Sequence, residues 1–219
     1  MIAGVDGMPG GWLVALVSGT DVRWAFAASA AEVVSLTADC DAVAVDIPMG
    51  LPETGWRACE LAAREFLGPA RSSVFLAPPR PVLVARTYPE ACELARRTHG
   101  KAVSKQLWHI LDRIRDWDGV LSPRLQERVV EAHPECSFRT IGAVDSTKKT
   151  GRGIGQRLAL LDTWLDAGAA FADLPAAARF DDALDALAVA WTARRWAARA
   201  ALVFGGEQDA RGLAMRIVR

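Results

Sequence analysis

The stretch Ala42-Val43-Ala44-Val45-Asp46 gives the strongest indication of the fold. Its first four residues are all apolar, which is typical of a strand buried on both faces of a parallel sheet. The run ends in a carboxylate, Asp46, followed by Ile47-Pro48, where a strand must stop. We therefore predict a buried strand with an acid at its carboxyl end.

The residues before this strand predict how the rest of the sheet is built. Apolar runs at residues 2–5, 12–17 and 22–27 are separated by Gly-rich turns, a pattern typical of an antiparallel meander. Residues 30–36 form a predicted helix, because Ser29 and Glu32 have the spacing of a capping box. A helix between the meander and the buried strand predicts a crossover, and with it an α/β fold.

The second half of the chain is predicted to be mostly helical. Residues 50–126 show helical and loop patterns without a strand, so we interpret them as a helical insertion in one domain that covers residues 1–219. The predicted elements are helices at 56–67, 104–117, 156–167 and 181–203, a fifth strand at 128–133, and a Lys/Gly loop at 146–155.

Composition excludes several classes of protein. The 219 residues carry 26 Lys and Arg against 26 Asp and Glu, so a strongly basic nucleic-acid binder is excluded and a polyanion must be held by a local patch. The four cysteines form no CxxC pair and are interpreted as reduced core thiols. The first residues show no secretory signal, and charges interrupt the longest apolar segment, so we expect a cytoplasmic protein that does not enter a membrane.

Carboxylates follow the predicted strands and recur on the last helix. Asp6 and Asp46 would emerge at the same edge if their strands are adjacent and parallel, and together they would make a cation site. Asp182 and Asp185 are three residues apart and share one face of an otherwise apolar helix. Helix capping by Asp181 and Asp182 is the alternative interpretation, but it does not explain Asp185.

Glu131 lies in the predicted fifth strand, where it could point to the same edge. A period of two would place His133 and Glu135 on its side, although a solvated strand face or a loop is an equal alternative. An oxygen-rich cluster without thiolates suits Mg²⁺ or Mn²⁺, and two such ions could activate water against a phosphodiester.

Basic and hydroxyl side chains elsewhere could hold a phosphate. Lys148 and Lys149 lie in a donor-rich loop, and Arg71 and Ser73 follow a Gly-Pro turn, although solvated surface charge explains such residues as well. The glycine patterns fit neither a dinucleotide nor a Walker loop. The tryptophans could stack bases, but on helices they fit a core better.

Several of these motifs, in this order, resemble those of domain-of-unknown-function (DUF) family number 429. That family is described as predicted nucleases with the ribonuclease H fold. The resemblance implies a five-stranded mixed sheet of order 3-2-1-4-5, with helices on both faces and the insertion after strand 4. The segments that carry it are Gly4-Val5-Asp6-Gly7, Gly10-Gly11-Trp12, Val45-Asp46-Ile47-Pro48-Met49-Gly50-Leu51, Arg71-Ser72-Ser73-Val74-Phe75, Glu131-Ala132-His133-Pro134-Glu135, Lys148-Lys149 and Asp181-Asp182 with Asp185-Ala186.

The last helix also resembles that of RuvC-type Holliday-junction resolvases, in which two acids complete a metal site. The resemblance implies that Asp6 is the first-strand ligand and that Asp182 and Asp185 are the helix pair. Asp46 stands where those enzymes usually carry glutamate, and Glu131 has no counterpart in them. The insertion is a second departure from the resolvases.

These observations together predict a metal-dependent nuclease that uses Mg²⁺ or Mn²⁺. The alternatives are a phosphate- or nucleotide-binding protein of an actin-like superfold, and a non-catalytic binding module with a structural metal. The substrate would be a nucleic acid or nucleotide, single-stranded or short, because an insertion over the acidic edge would obstruct a duplex. Site predictions are Asp6, Asp46, Asp182 and Asp185 as metal ligands, Glu131 as a further ligand or base, and Arg71, Ser73, His133, Lys148 and Lys149 as substrate-binding residues.

Overall fold

The computed structural model describes all 219 residues, Met1–Arg219. The chain divides into two compact units. The first contains residues 1–47, 128–202 and 218–219, and the second contains residues 48–127 and 203–217. The second unit thus contains the whole of the predicted insertion together with a segment near the C-terminus. Helices are α1 (Ala30–Leu36), α2 (Ala58–Leu67), α3 (Tyr88–His99), α4 (Lys105–Val120), α5 (Pro134–Ile141), α6 (Gly151–Leu161), α7 (Ala167–Ala172) and α8 (Phe180–Ala197).

The first unit is built on a five-stranded mixed sheet. Its strands are β1 (Ile2–Met8), β2 (Gly11–Ser18), β3 (Asp21–Ala27), β4 (Ala42–Val45) and β5 (Val129–Glu131). They lie in the order β3-β2-β1-β4-β5, with β1, β2 and β3 antiparallel and with β4 parallel to both β1 and β5. The predicted α/β fold and strand order are therefore confirmed.

Helix α8 packs directly on the centre of this sheet. A Cβ atom added at Gly4 in β1 would lie 1.9 Å from the carbonyl oxygen of Ala186 in α8, so only glycine allows this approach. Residues 183–190 of α8 are all buried. A helix that is apolar nearly all round is expected to pack on a sheet in this way, and the approach at Gly4 fixes the middle of α8 against β1.

Several elements of the first unit differ from the sequence predictions: the helix predicted at 156–167 ends at Leu161, and α7 was not predicted. Residues 151–155 are not a loop, because the Thr150 hydroxyl caps α6 by accepting a hydrogen bond from the Gly153 amide at 3.1 Å. Helix α8 ends at Ala197 rather than at residue 203. The predicted fifth strand is shorter, because Pro134 begins α5 and places Glu135 in the first turn of that helix. The period-two placement of Glu135 beside Glu131 was therefore wrong.

The second unit combines helices with a small hairpin. Two of its helices, α2 and α4, match predicted ones, whereas α3 and the hairpin of β6 (Val203–Gln208) and β7 (Ala214–Val218) were not predicted. The guanidinium of Arg57 forms a buried ion pair with Glu60 at 3.0 Å, and this pair also binds the backbone of the flanking loops. Ionic and polar contacts thus hold this unit's loops in place.

Two further sequence predictions concern the whole chain. All four cysteines are free and buried, as expected for core thiols. No helix has both the length and the apolar character needed to span a membrane.

Candidate active site

Three acids lie at the carboxyl ends of neighbouring parallel strands. Asp6 is in β1, and the backbone amide of Asp46, just past β4, donates to the Val5 carbonyl at 3.0 Å. Glu131 ends β5, opposite Val45 in the parallel register. Parallel strands have their carboxyl ends at the same edge of a sheet. The backbone therefore places these three acids at one edge, as the sequence predicts.

The start of α8 adds two further acids. Asp182 lies in the first turn and is half-buried, and Asp185, one turn later, is buried. The Oδ2 atom of Asp185 accepts a hydrogen bond from the ammonium of Lys148, and the Oδ1 atom is buried without a hydrogen-bond partner. Capping does not account for Asp185, since it lies beyond the first turn and bonds no backbone amide of its helix.

Burial raises the pKa values of these carboxylates, and neighbouring negative charges add to the rise. Burial, followed by the negative charges of Asp185, Asp46 and Asp182, holds the pKa of Asp6 well above its usual range. Burial also raises the pKa of Asp46 to about 7; Lys148 opposes this rise, while Glu131 and Glu135 add to it. The acids on the strands and the helix therefore act on each other within one electrostatic site.

Asp185 behaves in the same way, although it has a cationic partner. Burial raises its pKa to about 7 against the opposing charge and hydrogen bond of Lys148, with Asp46 and Glu135 contributing to the rise. Burial lowers the pKa of Lys148, but Asp185, Asp181 and Asp6 outweigh this and raise it overall. Lys148 therefore stays charged, yet its single positive charge does not compensate the acids around it.

Two other predicted residues lie on the segments that flank the site. His133 is the N-terminal cap residue of α5, and its carbonyl accepts a hydrogen bond from the Ser137 amide at 2.9 Å. Lys149 is exposed, and its backbone amide donates to the Thr147 hydroxyl at 3.3 Å. Lys148 and Lys149 are thus neighbours in sequence with different surroundings.

One buried charged residue next to these acids was missed from the sequence. Arg157 is buried and forms a bidentate ion pair with Glu135, at 2.9 Å to Oε1 and 2.6 Å to Oε2. It lies four residues after Gly153 and four before Leu161, on the buried face of α6. The sequence signal for it was an arginine at a helix position that shares a face with buried residues. Such an arginine indicates an ion pair, because an unpaired guanidinium is almost never buried.

The predicted anion-binding residues Arg71 and Ser73 belong to the second unit. Both lie in a short 3₁₀ helix, residues 68–73, where Arg71 is exposed and the Ser73 hydroxyl donates to the Ala70 carbonyl at 2.8 Å. Their role in binding substrate stays a prediction.

The carboxylates of the site suit a divalent cation in chemistry but are not arranged as a formed centre. All the donors are oxygens, and one of them, Oδ1 of Asp185, is buried without a partner. A bound cation would also offset the repulsion among Asp6, Asp46 and Asp185, which adds to the effect of burial on their pKa values. However, no three His, Cys, Asp or Glu side chains are grouped so that they could hold a metal ion. The shared cation therefore stays a prediction.

Fold and site together define an α/β protein with a cluster of acids where its parallel strands end. The model of the family DUF429, described as a protein of unknown function, matches residues 4–210. The chain belongs to that family. No curated protein and no solved structure matches the chain.

Proposed function

We propose that this protein is a divalent-metal-dependent hydrolase of phosphodiester bonds, with a nucleic acid or nucleotide as substrate. The observation that carries the proposal is the convergence of acids: Asp6 and Asp46 lie at the carboxyl ends of adjacent parallel strands, and the charges of Asp46 and Asp185 act on their neighbours across this edge. Folding at this site assembles more negative charge than Lys148 compensates. Such a cost is expected where function requires a cation.

The proposal assigns a role to each side chain of the site. Asp6, Asp46, Asp182 and Asp185 would hold Mg²⁺ or Mn²⁺. A bound ion of this kind polarises a phosphate and generates a nucleophilic hydroxide from water. Glu131, buried at the end of β5, is a further ligand or a general base.

The same proposal gives the basic residues an electrostatic function. Lys148 carries its positive charge into the site and would contact a non-bridging phosphate oxygen. Lys149 follows Lys148 in the chain, and His133 is the N-terminal cap residue of α5. Both would contact the substrate farther from the scissile bond. Arg71 and Ser73 remain proposed substrate contacts.

The charge balance of the chain favours a short or single-stranded substrate. With a net charge of zero, attraction to a duplex is weak, and binding depends on a few local lysines and arginines. We expect weak, salt-sensitive binding to single-stranded oligonucleotides and little binding to duplex DNA. Titrations at several salt concentrations test this, and tight duplex binding that resists salt would contradict it.

The hydrolytic activity is tested with labelled single-stranded RNA and DNA, the matching duplexes and a dinucleotide, each with Mg²⁺, Mn²⁺ or chelator. Asp6→Asn and Asp185→Asn should lower metal-dependent cleavage by about 10³-fold, the size expected when a charge-stabilising group is lost. Asp145→Asn is the matched control, since Asp145 is exposed and pairs with Arg152 at 2.6 Å. Cleavage that survives both site variants would reject the proposal.

A phosphate- or nucleotide-binding protein without hydrolytic activity is the second candidate. Lys148 favours it, because its ammonium lies at the site and a phosphate could replace the Asp185 carboxylate as its partner with no metal present. Nucleotide binding that is unchanged by chelator, together with no cleavage of any substrate, would select this candidate.

A cytoplasmic location is part of the same proposal. The four free, buried thiols are compatible with a reducing compartment. Fractionation of cells that express the tagged chain tests the location directly.

A further inference from the structure

Arg157 is a buried cation whose contacts join three segments around the candidate active site. It is 2% exposed, and its guanidinium lies 5.4 Å from the centre of the Phe138 ring. One nitrogen, Nη2, holds both carboxylate oxygens of Glu135 at the start of α5. The other, Nη1, donates to the carbonyls of Ser146 at 2.8 Å and Gly153 at 2.9 Å.

The segment that carries Lys148 is also held by close contact with α6. A Cβ atom added at Gly153 would lie 2.1 Å from the Thr147 carbonyl oxygen and 2.8 Å from that of Ser146. Glycine at this position therefore lets the two residues before Lys148 lie against the first turn of the helix. Arg157 holds Ser146 by a hydrogen bond, and Gly153 admits Ser146 and Thr147 by close contact, so two independent contacts fix the segment.

Lys148 follows directly and reaches Asp185, 37 positions along the chain. A lysine side chain loses much rotamer freedom when it is held in one place, so it needs a fixed backbone to stay on its partner. Lys149, on the same segment, has an exposed side chain. The anchored backbone therefore presents one lysine to the acids and leaves the next in solvent.

We propose that Arg157 is the positioning residue of the candidate active site: it holds the Ser146 carbonyl so that Lys148, two residues later, lies on Asp185, and it neutralises Glu135. The catalytic part of this inference, an effect on metal binding and cleavage, rests on the proposed function. The structural part, that Arg157 positions Lys148, does not. Without Arg157, Lys148 leaves Asp185 and the charge of Glu135 acts on the acids unopposed. The site then attracts cations more strongly and anions less strongly.

Amine labelling followed by mass spectrometry tests the structural part on the full chain. Lys149 is the internal reference, because both lysines belong to one peptide segment and share the same reagent. In the wild type Lys148 should react about tenfold more slowly than Lys149, as expected for an amine held in a charge-assisted hydrogen bond. Arg157→Met should bring the two rates within about threefold, the residual difference allowed for two neighbouring exposed amines.

Two further variants keep this test decisive. Arg152→Met, on the same helix, removes an exposed ion pair and should leave the labelling ratio unchanged. Gly153→Ala displaces the segment while it retains the Arg157–Glu135 pair, so it should raise Lys148 labelling even if Arg157→Met fails to fold. A folded Arg157→Met or Gly153→Ala protein with the wild-type ratio would overturn the proposal.

Mn²⁺ binding and phosphodiester cleavage, measured together, distinguish a catalytic role of Arg157 from a merely structural one. In Arg157→Met, Mn²⁺ should bind more tightly while phosphodiester cleavage falls, whereas simple loss of folding would weaken both. If the wild type neither binds Mn²⁺ nor cleaves any substrate, the proposed function fails, and the labelling result still decides the role of Arg157. Tighter Mn²⁺ binding with unchanged cleavage would overturn the catalytic part alone.

Discussion

The two units each contain a cluster of acidic and basic side chains, and the clusters differ in charge balance. In the second unit, Arg80 and Arg211 bind Asp118, and Arg80 also binds the buried Asp209. Burial alone would raise the pKa of Asp209, but backbone amides of Leu51 and Leu213, together with Arg80, hold it below its usual value. Each acid in this cluster is thus matched by donors of its own unit.

The cluster in the first unit is not matched in this way. Asp6, Asp46 and Asp185 share one nearby cation, Lys148, and all three have raised pKa values. Surface exposure does not separate the two clusters, since Asp209 is as little exposed as Asp6 and Asp185. What separates them is whether the chain supplies enough donors. The matched cluster stabilises the fold, and we interpret the unmatched one as a site for an external cation.

The largest expected effect comes from breaking the matched cluster. Asp209→Asn leaves Arg80 without its buried partner, so the free energy of unfolding should fall by about 3 kcal/mol, at the lower end of values for one member of a buried ion pair. Urea denaturation measures this change. Asp112→Asn is the control, because Asp112 pairs with Arg115 in solvent and should change stability by less than about 0.5 kcal/mol.

The unmatched cluster should respond with the opposite sign. Asp6→Asn removes a charge that its neighbours repel, so the metal-free protein should become more stable by about 1–2 kcal/mol at pH 8. Denaturation of both proteins in chelator measures the gain. A loss similar to that of Asp209→Asn would mean that Asp6 is a structural residue like Asp209.

Sequence patterns were sufficient for the sheet because its information is local. Alternation, turns and the apolar run of β4 specify the strands, and the Ser29 cap specifies α1, with its hydroxyl accepting from the Glu32 amide at 3.3 Å. The hairpin β6–β7 was missed because β6 is almost wholly exposed and contains Gly205 and Gly206, so it lacks a strand's apolar period.

The acids of the site were also predictable, because strand ends and helix spacing place them. Which basic residue pairs with each acid was not predictable. The partners Lys148 and Asp185 lie 37 residues apart, and Arg157 and Glu135 lie 22 apart. Pairs at such separations follow from packing, and no local pattern selects one partner over another.

The site's contribution to stability should also depend on pH. The folded pKa of Asp46, about 7, lies above the value near 4 expected in the unfolded chain. The unfolded chain therefore loses its proton first, and the stability contributed by this group falls as pH rises from about 4 to 7. Asp46→Asn should match the wild type near pH 4, and its advantage should grow up to about pH 7 and stay constant above that. An advantage that is constant with pH would exclude titration of Asp46 as its cause.

The most direct test of the central claim is a crystal structure of the protein grown with Mn²⁺, with data collected at the manganese absorption edge. We predict an anomalous peak within coordination distance of Asp6, Asp46 and Asp185, with the ammonium of Lys148 displaced from Asp185. No peak at these carboxylates, with Lys148 still bound to Asp185 at saturating Mn²⁺, would contradict the claim that the unmatched cluster is a cation site.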